Sequence, residues 1–244
     1  MKVLSQASFR YLSPISHDQR HIRTIFRGFV SLSLWLILVA RVDAASVTNV
    51  DGRIVYLGPD GQSTILSDSG HDFGPILSPD GARVAFVRSY RTPEDDYIGY
   101  TNCSIWIVDI TGDNLRCLVT GQDAEDEKER LTDLEDLIFS PDEAELFFHS
   151  HTWVTELALH AIKLETGERR YIGPGELKRI VPRGEYANHL LVQQHRYFLG
   201  GGSYNWVWLL TPEGKEIGPV TEGDGAHGFL GEDFHGFWSL YVPE

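Results

Sequence analysis

The stretch ILSPDGARVAFVRS, residues 76–89, decides the fold. It reads as an apolar strand end, a four-residue turn and a second apolar strand. Every position of Ser78-Pro79-Asp80-Gly81 carries turn chemistry. Pro79 presets φ for the second position of a type I turn, Asp80 accepts backbone N–H groups, and Gly81 tolerates the left-handed conformation that closes the turn. A type I turn followed by a left-handed glycine builds a slightly longer β-hairpin. The strand that follows, Val84-Ala85-Phe86-Val87, does not alternate. A short apolar run between turn signals predicts a strand buried on both faces.

The unit recurs along the chain in weakening form. Residues 137–148 read LIFSPDEAELFF, with Ser140-Pro141-Asp142 in the turn and Glu143 in place of the glycine. Residues 180–192 (IVPRGEYANHLLV) and 229–242 (FLGEDFHGFWSLYV) are more degraded copies. A second kind of hairpin alternates with these: IVYLGPDGQSTIL (54–66), IWIVDITGDNLRCLV (105–119), HAIKLETGERRYI (160–172) and WVWLLTPEGKEIGPV (206–220). Their turn glycines, Gly61, Gly112, Gly167 and Gly214, lie 51, 55 and 47 residues apart. A self-similar period of this size with four strands per period predicts propeller blades.

The order of the hairpins predicts how the ring closes. The chain begins with an outer hairpin at 54–66, continues through three inner–outer pairs, and ends on an inner hairpin near 226–242. The two unpaired hairpins together make one more blade. The expectation is therefore an all-β fold: a small β-propeller of four blades, one of them closed by strands from the N- and C-terminal parts. Such closure leaves few free sheet edges. An incomplete ring that closes through a dimer is the alternative.

The repeat resembles the TolB-like Asp-propeller repeat, which reads roughly "SPDG..IAF.S......IW..D..G...R.LT". The match runs over 76–121, with Ser78-Pro79-Asp80-Gly81, Val84-Ala85-Phe86, Ile105-Trp106, Asp109, Gly112 and the run Leu115 to Thr120. It continues over 137–173. The resemblance implies a β-propeller. It leaves several roles open, because one fold hosts many functions: periplasmic interaction partners, the propeller halves of peptidases, and metal-dependent lyases acting on pectin fragments.

The 244 residues are ample for one domain with a sizeable core. The apolar run FVSLSLWLILVA (29–40) follows Arg23 and Arg27 and precedes Val42-Asp43-Ala44. This predicts a secretory signal over residues 1–44 with a long leading region, cleavage near Ala44-Ala45, a propeller domain over 45–244, and a periplasmic or secreted location. The run is short for a bilayer span, so no membrane span is expected in the mature chain. The whole chain carries a net charge of −14; without residues 1–44 its 21 basic and 35 acidic residues become 15 and 33, or −18. Nucleic acid is thereby excluded as a partner, because phosphate binding needs a basic footprint.

Cys103 and Cys117 lie on the two arms of one predicted hairpin. An exported protein meets an oxidising compartment, which allows a disulfide. The expected register sets the two about four positions out of line, which opposes one. A bend of Cys103 inward from its loop would restore it, so both states stay open.

Function is expected on the face opposite the inner turns, where the long loops lie. Tyr90, Arg91, Tyr97, Tyr100, Trp153, Arg196 and Tyr197 fall there. These residue types are enriched in binding hot spots; the alternative is that they cover the open end of a small core. His71, His151, His195 and His227 fall there too, beside His149 and Asp72. They are either candidate ligands for a divalent metal at the channel mouth or scattered surface histidines. The acidic run 123–136 lacks the oxygen pattern of a calcium loop. Two functions follow: an exported, non-catalytic binding or scaffold module for an envelope protein or a carbohydrate, or a divalent-metal-dependent carbohydrate lyase or hydrolase, with Arg196 as the basic group for substrate.

Overall fold

Asp51-Gly52 begins the architecture, with φ of 51° and 73°. Two consecutive left-handed residues are the signature of a two-residue type I′ hairpin. They join β1 (Ser46–Val50) to β2 (Arg53–Leu57), which pairs in turn with β3 (Ser63–Ser67). The fold is described from a computed structural model over residues 44–89, 103–152, 157–197 and 200–222.

Three four-stranded antiparallel meanders follow, each in chain order. The first holds β4 (Asp72–Leu77), β5 (Arg83–Ser89), β6 (Cys103–Asp109) and β7 (Arg116–Thr120). The second holds β8 (Glu135–Phe139), β9 (Glu145–His151), β10 (Leu157–Lys163) and β11 (Arg169–Pro174). The third holds β12 (Glu176–Ile180), β13 (Leu190–Tyr197), β14 (Ser203–Leu210) and β15 (Glu216–Glu222). Each expected inner–outer hairpin pair is one of these sheets. The expected turn glycines Gly61, Gly112, Gly167 and Gly214 all have positive φ, between 73° and 91°.

The first sheet departs from expectation. The sequence reading begins with the hairpin 54–66 alone, but β1 adds a third strand on the far side of β2 from β3. The N-terminal part thus supplies three strands to its sheet, not two. The hairpin expected at 226–242, and with it the closure of the ring, lies outside the described residues.

Burial explains why the sheets stack. In β5, Val84 to Val87 are all at most 1% exposed. Val84 and Phe86 pack on Ile54, Tyr56 and Leu66 of the first sheet. Ala85 and Val87 point the other way, onto Leu137, Leu146 and Phe148 of the next meander. That meander sends Phe147, Leu159 and Ala161 from its opposite face onto Leu177, Leu190 and Val192 of the third. Full burial of each valine, leucine, isoleucine or phenylalanine among these contributes about 1.5–3 kcal/mol. Both faces of each central sheet are therefore core, and the strands read as unbroken apolar runs for that reason. At the inner edges, β4 lies against both β1 and β8. The outward face of the first sheet leaves Val50, Leu57 and Ile65 exposed. No helix among the described residues is long and apolar enough to cross a membrane.

Candidate functional site

Two of the inner turns are built alike. In the first, Ser78 Oγ donates to Asp80 Oδ1 at 2.6 Å, and the Ala82 and Arg83 N–H groups donate to Asp80 Oδ1 and Ser78 Oγ, both at 2.9 Å. In the second, Ser140 Oγ donates to Asp142 Oδ1 at 2.6 Å, with Ala144 and Glu145 N–H in the matching roles at 3.1 and 2.9 Å. Pro79 and Pro141 hold the same position in each. These bonds, the serine hydroxyl first and the alanine N–H second, keep the Asp80 and Asp142 carboxyls below the usual carboxylate range.

Charged side chains then tie neighbouring sheets together on this turn face. Glu143 accepts from Arg83 Nη2 at 2.8 Å and from the Asp80 N–H at 2.5 Å. Arg116 Nη2 donates to the Leu164 carbonyl at 2.7 Å. Arg170 forms a two-point pair with Glu145, one bond at 2.7 Å, and donates to the Pro212 carbonyl of the third meander at 3.0 Å.

Between these ties opens a cavity of about 580 Å³. Phe147, Leu164, Ile180 and Pro212 give it apolar walls, and Asp142, Glu143, Glu145 and Glu165 give it an acidic lining beside Arg83 and Lys163. It lies on the turn face, opposite the face where the long loops lead sequence reasoning to expect a site. No sequence signal marks it except Glu143 itself, an acidic residue in a position that calls for glycine.

The far ends of the strands hold a buried polar cluster. Asp72 is 1% and Arg88 9% exposed. Arg88 Nε meets Asp72 Oδ1 at 2.6 Å, and its Nη2 meets Asp72 Oδ2 at 3.1 Å and Ser67 Oγ at 2.7 Å. The guanidinium lies 4.4 Å from the ring centre of Trp106. Burial pushes the Asp72 carboxyl up, but the bonds from Arg88 and Ser67 outweigh it and the net shift is downward. An arginine inside the apolar run VAFVRS is the signal for this pair, since a buried cation requires an anion.

In the second meander His160 is fully buried, stacked on Phe148 at 5.2 Å, with Nε2 3.0 Å from Ser150 Oγ. Burial lowers its pKa to about 3, so the ring is neutral. Ser150 is equally buried, which seals this serine–histidine pair away from any substrate. His149 Nε2 accepts from the Leu177 N–H at 2.9 Å, and its Nδ1 faces Asp136 at 3.4 Å.

The three expected metal ligands that fall among the described residues lie on separate meanders. His71 is exposed at the start of the first meander. His151 bonds Glu135 at 2.6 Å on the second. His195 on the third bonds Asn205 at 2.8 Å through Nδ1. Among the described residues no three His, Cys, Asp or Glu side chains converge to hold a metal. Arg196 lies with its guanidinium 3.6 Å from the Trp208 ring centre and pairs with Glu216 and Gln194, so it is already engaged. Tyr197 is 71% exposed. Tyr90, Arg91, Tyr97, Tyr100, Trp153 and His227 lie outside the described residues.

The two cysteines are not bridged to each other. Cys103 is buried and accepts the Leu134 N–H at 3.0 Å, while Cys117 is exposed. The register explains this: Cys117 sits opposite Trp106 and Cys103 opposite Ser89 of β5.

No known protein family matches the chain, and no curated protein does. Among solved structures it is similar to the putative TolB from Agrobacterium tumefaciens, at 13% identity over 73% of this chain and 58% of that one, with a TM-score of 0.45. The β-propeller domain of the trilobed protease from Pyrococcus furiosus gives 17% identity, 73% and 53% coverage and 0.47. Porphyromonas gingivalis dipeptidyl peptidase 4 gives 13%, 73% and 31%, and 0.46. The chain spans little more than half the length of the first two and about a third of the last. Its own four-stranded meanders, stacked face to face in chain order, are what make this chain a β-propeller.

Proposed function

We propose that this chain is a non-catalytic propeller module that binds a protein partner in the bacterial envelope, after export directed by its N-terminal apolar segment. The observation that carries this reading is the cavity on the turn face. It is formed jointly by the turns of three consecutive sheets, so its shape is set by a rigid core. Its walls are apolar and its rim polar, the make-up of a site that recognises and holds. Its cations are tied in ion pairs, and Ser140 Oγ is held in its own turn. This leaves the cavity better suited to binding than to bond making.

The test is photo-crosslinking in cells, with benzoylphenylalanine placed at Thr166 or Glu165, both exposed on the turn face, or at Ser203 at the opposite end of the strands. The expected result is a discrete protein adduct from Thr166 and Glu165, in the envelope fraction, and none from Ser203. Adducts from Ser203 alone would move the contact to the long-loop face. No adduct from any position, or a chain confined to the cytoplasmic fraction, would overturn the reading.

A further inference from the structure

The charges around the turn-face cavity do not balance, and the excess has one sign. Each cation is already matched. Arg83 pairs with Glu143, Lys163 with Glu168 at 2.6 Å, and Arg170, in an adjoining hollow of about 260 Å³, with Glu145. Two carboxylates are not. Glu165 is exposed and makes no ion pair among the described residues. Asp142 is exposed and bonded by the Ser140 hydroxyl and the Ala144 N–H, but it makes no ion pair among the described residues.

We propose that this cavity binds a peptide segment carrying an apolar side chain flanked by lysine or arginine. The proposal rests on the partner-binding reading above and names the ligand's chemistry. Three observations lead to it. The volume, about 580 Å³, lies within the roughly 300–1,000 Å³ of ligand sites. The walls of Phe147, Leu164, Ile180 and Pro212 reward an apolar side chain taken from water. The unmatched carboxylates of Asp142 and Glu165 reward a cation at the rim and repel an anion, which supplies discrimination as well as attraction. The chain's net charge of −14 draws cationic segments toward it at longer range.

The test is calorimetric titration of the full-length chain with three capped heptapeptides: alternating lysine and leucine, alternating glutamate and leucine, and alternating lysine and serine. The lysine–leucine peptide should bind, and both others at least roughly tenfold more weakly. Glu165→Lys should weaken the lysine–leucine peptide by roughly fivefold, and added salt should weaken it further. Glu165 is exposed, so this change leaves the fold intact, which circular dichroism checks. Ala144→Trp, also at an exposed rim position, should block the cavity and abolish binding. Equal binding of the glutamate–leucine peptide, no effect of either substitution, or no binding at all would overturn the proposal. Peptide failure alongside a turn-face adduct in cells overturns the ligand class and leaves the partner-binding reading standing. Peptide binding without any adduct does the reverse.

Discussion

Glu143 occupies, at φ 58°, the turn position that Gly81 fills at φ 73° in the preceding repeat, and its carboxylate holds Arg83 of that same repeat at 2.8 Å. A left-handed glutamate costs about 1 kcal/mol relative to glycine. The ion pair and the bond from the Asp80 N–H offset that cost. Glu143→Ala keeps the backbone cost and loses the tie; Glu143→Gly loses both. The alanine variant should therefore be the less stable of the two, by about 1 kcal/mol. Chemical denaturation of both variants decides the order, and the reverse order would show that the left-handed backbone carries no cost at this turn.

The pair of Arg88 and Asp72 should behave as a unit. Removing one partner leaves a buried charge uncompensated, at a cost of about 3–5 kcal/mol. Arg88→Met and Asp72→Leu should each destabilise on that scale, while the double variant recovers most of the loss. A double-mutant cycle measures the coupling. Additive losses would mean that the two residues act independently.

Stability should fall with acid before the carboxylates titrate. The folded pKa of His160 is about 3, below its ordinary 6.5. Between those values the unfolded chain binds a proton there that the folded chain does not, so stability is lost as pH falls below 6.5, by at most about 1.4 kcal/mol per unit. Asp72, Asp136 and Asp142, whose pKa values are lowered from 3.8, add their losses only as pH falls further. Urea midpoints between about pH 7 and about pH 5 should decline in the parent chain and decline less in His160→Gln. Equal slopes would assign the acid sensitivity elsewhere.

Thiol chemistry should separate the cysteines. Cys117 is exposed and should react promptly with a chromogenic disulfide reagent, while the buried Cys103 should react only after unfolding. Two thiols should titrate in denaturant without reductant. Fewer than two would mean that the bridge forms after all.

The hairpins are legible in the sequence because their turns are local. Ser78 to Gly81 and Ser140 to Asp142 state their hydrogen bonds within six residues. The two-faced burial of Val84 to Val87 is legible because a sheet packed on both sides has no polar phase. The strand β1 hides behind Ser46-Val47-Thr48-Asn49, which has only one apolar residue, although Asp51-Gly52 announces its turn. The site is less legible still. The cavity joins residues from Arg83 to Pro212, a span over which spacing carries no information about contact. The histidines mislead for the same reason: sharing one end of the strands puts His71, His151 and His195 on three separate sheets, each with its own neighbours.

The stacking of sheets in chain order has a consequence for how the molecule comes apart. Each core between the described sheets is shared by two sequence neighbours, so these cores are coupled nearest neighbour to nearest neighbour, as in a repeat protein. Amide exchange should then be slowest in central strands such as β5, β9 and β13, which have a core on each side, and the gradient of protection away from them would read out the coupling between one repeat and the next.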